Sequence, residues 1–114
     1  MNKSTRAIGK ELEEYVLSLI KQFDNTARLS RNSGATNDLH DIVSKYFYTE
    51  CKRQLTNKNA IIKQEEWEKL NKKIIVGSLK IPIMIIENNI GSKYLVINPE
   101  DFFMIYKELL KRIE

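Results

Sequence analysis

Cysteine is almost missing from this chain of 114 residues. Cys51 stands alone, so no disulfide can form within the chain, and a reducing compartment, the cytoplasm, is expected. Long apolar runs are missing too. The longest, Ile81–Ile86 and Ile74–Val76, are far too short to span a membrane, so no membrane partner is expected. Met1 to Lys10 is polar and carries no apolar stretch of the kind a secretion signal needs. Internal repeats and low-complexity linkers are also absent. Nothing marks a boundary, so one domain over residues 1–114 is expected, with residues 1–5 as a loose arm. Histidine is reduced to His40. A single imidazole is more often a polar contact than a ligand, and no catalytic role is assigned to it.

What is present is an ordinary globular composition, 42% hydrophobic and 30% charged. Nineteen Lys and Arg oppose fifteen Asp and Glu, a net charge of +4. If the acids cluster at a site, the remaining surface is more basic than that total. This favours a polyanionic partner, though weakly by itself.

The apolar pattern sets out the elements. Leu12, Tyr15, Val16, Leu19, Ile20 and Phe23 recur at helical spacing and predict a helix from about residue 4 or 6 to 23, ended by Asp24-Asn25. Residues 26–31 can form a first strand, with Ala27 and Leu29 on one side. Residues 32–37 are turn formers. Ile61 and Ile62 suggest a short extended piece. Trp67, Leu70 and Ile74 predict a second helix from about residue 63 or 64 to 76, stopped at Gly77. Ile81–Ile86 reads as a strand covered on both faces, and Tyr94–Ile97 as its return. Asn98 as cap and Pro99 at the first helical position open a last helix, whose apolar stripe is expected on its own core.

The chemistry gathers in Asp41–Lys52, which reads as two short strands joined near Ser44-Lys45. Side chains alternate along a strand, so Glu50 and Lys52 share one face with Tyr46 and Tyr48, while Phe47, Thr49 and Cys51 take the other. Asp41, at the start of the preceding strand, can lie beside Glu50. Two carboxylates a few ångströms apart repel, and a hard cation such as Mg²⁺ relieves the repulsion. Such an ion polarises a phosphodiester and activates water, and a neighbouring lysine can orient that water. Among the acids of the first helix, Glu13 lies at the edge of the apolar face, in line with Val16, Leu17 and Ile20, and looks back at the sheet. Glu14 falls opposite that face and Glu11 well away from it.

His40-Asp41 followed by Glu50-Cys51-Lys52 resembles the PD-(D/E)xK nuclease signature. With Ser33-Gly34-Ala35, Asp38 and Tyr48-Thr49, the context is similar to the small Holliday junction resolvases of archaea and phages, over roughly residues 9 to 97. His40 stands where that family has a proline, which is not a ligand. The resemblance implies an α/β fold with the αβββαβ core and mixed sheet of restriction endonucleases, plus a C-terminal helix. It implies an Mg²⁺-dependent endodeoxyribonuclease, with Mn²⁺ as the substitute ion, acting on four-way DNA junctions as a homodimer and leaving a 5′-phosphate. Asp41, Glu50 and the Cys51 carbonyl would hold the metal, with Glu13 assisting. Asp38 competes with Asp41 and is kept as its neighbour. Glu13 follows Gly9 by four residues, as the family's glutamate does. Lys52 would activate water, and Ser33 would lie near the scissile phosphate. Arg28, Arg31 and Arg53 are the candidate phosphate contacts. The alternatives are another DNA nuclease of the same fold and a non-catalytic DNA-binding dimer.

Overall fold

The computed structural model describes residues 5–30, 41–74 and 77–114, with side chains from residue 9 onward. Its elements, in order, are α1 (Thr5–Ile20), β1 (Arg28–Leu29), β2 (Ile42–Val43), β3 (Phe47–Arg53), α2 (Gln64–Lys72), β4 (Ile81–Glu87), β5 (Lys93–Ile97) and α3 (Pro99–Ile113). The strands form one sheet in the order β1-β2-β3-β4-β5. β3 and β4 run parallel, joined by the α2 crossover, and the other neighbours are antiparallel. The protein is therefore α/β, with a five-stranded mixed sheet and three helices.

Two clusters hold the sheet between α1 and α2. On one face Leu12, Val16 and Ile20, spaced four apart along α1, are buried with Ala27 and Ile42, against Leu29, Cys51 and Ile85. On the other, Leu70 of α2 is buried with Tyr48, Met84 and Ile86, against Trp67, Ile74 and Val96. β4 lies between covered neighbours, which is why Ile81–Ile86 can be apolar throughout: Ile83, Met84 and Ile86 are buried although they point to both faces. Truncating a fully buried residue such as Leu12 to alanine should cost about 2–5 kcal/mol.

Buried polar side chains close the connections. The Asp24 carboxylate accepts hydrogen bonds from the Thr26 N–H (3.0 Å), the Thr26 hydroxyl (2.6 Å) and the Lys45 N–H (2.8 Å). It ties the end of α1 to the β2–β3 turn, and the bond from Lys45, followed by that from the Thr26 hydroxyl, lowers its pKa. Asn88 plays the same part at the β4–β5 turn. Its Oδ1 accepts from the N–H groups of Ile90 and Ser92, and its Nδ2 donates to the Lys58 carbonyl. Gly91 supplies the positive φ of 90° that this turn requires.

Several expectations need correction. α2 ends at Lys72, four residues short of Val76, and Gly77, at φ 89°, turns the chain beyond it. Ile61 and Ile62 join no strand and stay half exposed. Asn98 begins α3 in an extended conformation, but its side chain makes no capping bond; its Nδ2 donates to Asn71 Oδ1 at 2.8 Å, fastening α3 to α2. Tyr15, Leu19 and Phe23 are exposed, because only the central stripe of α1 meets the narrow β1–β3 half of the sheet. The largest departure is α3, none of whose residues is buried. No helix among the described residues is long and apolar enough to cross a membrane.

Candidate active site

The β2–β3 hairpin sets the site. Ile42 pairs with Thr49 and Val43 with Tyr48, so Asp41, one step before β2, lies level with Glu50. The Asp41 backbone is held from both sides: its N–H donates to the Thr49 carbonyl (3.0 Å), and its carbonyl accepts from the Ser30 N–H (2.9 Å). Its Oδ2 accepts from the Cys51 N–H at 2.7 Å. Burial raises the Glu50 pKa, and the Asp41 carboxyl lies close enough for its charge to raise it further. The two acids thus share one place on the sheet and do not lie across it from one another.

Glu13 reaches this pair from α1. Burial raises its pKa, and the negative charges of Asp41 and then Glu50 raise it further. The Glu50 pKa is also raised, first by burial and then by Asp41, against the opposing pull of Lys73. Glu13 and Glu50 both feel Asp41 as a nearby negative charge. The Cys51 thiol packs in the α1 core. Burial first, then Asp41, Glu13 and Glu50, push its pKa far up, so it stays protonated and unreactive. The hydrogen bond from Cys51 to the carboxylates comes from its backbone N–H, which donates to Asp41.

On the α2 side lies a small cleft of about 130 Å³, lined by Glu50, Lys52, Glu66, Lys69, Leu70, Lys73 and Met84. Lys73 Nζ bonds Glu50 Oε1 at 3.1 Å, and both side chains are largely covered. Lys52 Nζ pairs with Glu66 Oε2 at 2.6 Å. Burial alone would lower the Lys52 pKa. The Glu66 hydrogen bond and charge, with Glu50 and Asp41 behind them, outweigh it, and the pKa is raised. Lys52 therefore lies within the field of the carboxyl pair while bonded to a different acid.

The hairpin register sets Asp41 level with Glu50, and Glu13 on α1 and Lys52 on β3 lie near enough to feel their charge. The structure does not bring Arg53 out to a ligand. That guanidinium bonds Glu87 at 2.9 Å and donates to the carbonyls of Gln54 and Asn88, clamping the ends of β3 and β4. Arg28 is exposed on β1, with Nη1 donating to the Leu29 carbonyl. Ser33, Arg31, Asp38 and His40 lie outside the described residues. Gln64 is an exposed first-turn residue bonded to Glu68.

Lys73, Lys69 and Glu66 were not anticipated from the sequence. Lys69, Lys72 and Lys73 read as the solvated basic end of a helix, and no spacing separates Lys73 from its neighbours. Only the path of α2 over β3 does so.

Among the described residues, no three His, Cys, Asp or Glu side chains converge as a ready metal cage. What the site offers is two neighbouring carboxyls, Asp41 and Glu50, the second paired with Lys73, and a third carboxyl, Glu13, within their field. That donor chemistry suits a hard divalent cation. Comparison with known proteins returns no matching family and no matching curated protein.

Proposed function

We propose that this chain is an Mg²⁺-dependent DNA endonuclease of the restriction-endonuclease-like fold, which resolves four-way junctions by paired cuts as a homodimer. The supporting observation is the meeting of Asp41 and Glu50 at one point of the sheet, with Glu13 beside them and Lys52 on the Glu50 face. The element order α1-β1-β2-β3-α2-β4 agrees with the αβββαβ core.

Asp41 and Glu50 would hold the ion, with Glu13 assisting it or its waters. When bound, Mg²⁺ supplies charge neutralisation of the phosphate and a more acidic bound water. The protein residues do the rest. Lys52 leaves Glu66 to orient the attacking water or to offset charge growing on the phosphate. Lys73, which pairs with Glu50, and Lys69 line the cleft and would set positive charge on the side from which a DNA phosphate would approach. The junction substrate rests on the sequence resemblance. One site per chain and two symmetric cuts per junction agree with a two-fold dimer.

The test offers junction, linear duplex, flap and mismatch DNA to the protein with Mg²⁺. Preferential paired cutting of the junction is the expected result. Equal cutting of linear duplex would overturn the junction reading and leave a general nuclease. No cleavage of any substrate would leave a DNA-binding module.

A further inference from the structure

A second hollow adjoins the candidate cleft. It measures about 390 Å³, within the range of small-ligand sites. Lys52, Glu66 and Met84 line both, so the two run into one another at the Lys52–Glu66 ion pair. The far wall is the segment 54–63, which carries the chain from β3 to α2 without helix or strand.

This connection is braced along its length, chiefly by Gln54. The Gln54 N–H donates to the Glu87 carbonyl at 2.8 Å and its Nε2 to the Asn59 carbonyl at 2.7 Å, while its Oε1 accepts from the Ile61 N–H at 2.7 Å. The β4–β5 turn holds the middle. Asn88 Nδ2 donates to the Lys58 carbonyl at 2.8 Å, and the Asn89 N–H donates to the Asn57 carbonyl at 2.9 Å. The segment therefore closes on itself at Gln54, and Leu55 and Ile61, near its two ends, flank the same hollow. They are 47% and 46% exposed. A wall fixed in advance spares a ligand the cost of ordering it.

The lining is chemically mixed. Leu55, Ile61 and Met84 offer apolar surface, Thr56 and Asn57 offer hydrogen bonds, and Lys63 offers positive charge. The acid of the lining, Glu66, is answered by Lys52 at 2.6 Å. A continuous duplex meets such a surface with phosphates and sugar edges, because its base faces are stacked inside. An unpaired nucleotide brings a flat ring to Leu55 and Ile61, polar base edges to Thr56 and Asn57, and a phosphate to Lys63. We propose that this hollow seats one unpaired nucleotide of a DNA strand, next to the phosphate that enters the cleft. That the strand is DNA rests on the nuclease reading, whereas the seat itself rests on the 54–63 wall. Extruding a base costs least where pairing is already interrupted, so the seat favours such DNA over continuous duplex.

Fluorescence anisotropy with the metal-free protein tests it, since binding is then read without cleavage. The probes are a continuous duplex and the same duplex with one extra, unpaired thymidine. The unmodified protein should bind the bulged duplex about tenfold more tightly. Leu55→Ser/Ile61→Ser should remove that preference and change continuous-duplex binding by less than about twofold. Its far-UV circular dichroism should stay unchanged, because both side chains are exposed. Ile61→Tyr, which gives the base a ring to stack on, should strengthen the preference. Lys63→Gln should lower the salt dependence of bulged-duplex binding by about one ion. An unmodified protein without the preference, or a preference that survives Leu55→Ser/Ile61→Ser, would overturn the seat while the nuclease reading stands. Equal weakening on both duplexes would also overturn it and make the hollow a contact for paired backbone. Failure to bind or cut either DNA would overturn the nuclease reading, and the seat with it.

Discussion

β3 and α3 break the ordinary rule of burial in opposite directions. β3 turns an acid inward: Glu50 is mostly covered, lies beside Asp41 and is answered by Lys73. α3 turns Phe102, Phe103, Tyr106 and Ile113 outward, leaving them 45% to 71% exposed. A covered carboxyl pair raises the free energy of the folded chain unless something positive joins it. An exposed apolar helix does so unless something apolar joins it. In β3 Lys73 already answers Glu50, and the proposed cation would have to take its place; on α3 the apolar side chains are left exposed.

The sharpest way to break this contrast is to remove the charge from β3. Glu50→Gln should lower Mg²⁺-dependent cleavage by about 100-fold or more, measured on junction DNA, while the protein still folds. Cleavage that survives unchanged would mean that the site lies elsewhere.

Lys73 is the next lever, because it occupies Glu50 before any metal does. Lys73→Gln removes that competitor. The Mg²⁺ concentration giving half-maximal thermal stabilisation should fall about three- to tenfold, corresponding to roughly 0.7–1.4 kcal/mol. The metal-free protein should melt lower, since Glu50 is left unanswered. If Lys73 also meets a phosphate, the same variant binds DNA more weakly at low salt, and the two effects separate in a titration without DNA.

The pH dependence is a smaller effect. Glu13 and Glu50 have folded pKa values above their unfolded ones, so the folded state holds these protons more tightly. Their contribution is therefore favourable at low pH and is lost as pH rises from the ordinary carboxylate range through the raised values. Thermal scans of the metal-free protein from about pH 4 to 8 should show a decline from this cluster, reduced in Glu13→Gln and reversed by Mg²⁺. A decline of equal slope in Glu13→Gln would remove Glu13 from the cluster.

The smallest expected effect lies on the other face of β3. Thr49 is fully buried against the α1 core, and its hydroxyl finds no partner among the described residues. Thr49→Val keeps the shape and removes the unanswered hydroxyl. It should stabilise by about 1 kcal/mol, read from urea unfolding. A loss of stability would mean that the hydroxyl has a partner after all.

Much of this was legible beforehand because it depends on period. The alternation through Asp41–Lys52 separates Glu50 and Lys52 from Thr49 and Cys51, and the hairpin register follows from the turn. The helical spacing of Leu12, Val16 and Ile20 likewise puts Glu13 at the rim of the buried stripe, where the fold has it. Arg53 was misleading because a basic residue in a polar connection looks free. Its engagement with Glu87 depends on a strand 34 residues further on. Asn98 has a capping residue's identity and position, yet its amide found a nearer partner in Asn71. Tyr15, Leu19 and Phe23 complete an apolar face in the sequence, but β1 and β2, two residues each, leave too little sheet to cover it.

The sequence by itself determined the order of the elements, the α/β class and the face of β3 on which Glu50 would lie, because these follow from local periodicity and chain order. Tertiary structure alone decided that Lys73 answers Glu50, that Lys52 answers Glu66, and that α3 leaves its apolar stripe uncovered. Those outcomes depend on the path of the α2 crossover and on how much sheet surface remains for a third helix, and distances between segments far apart in the chain leave no periodic trace in it.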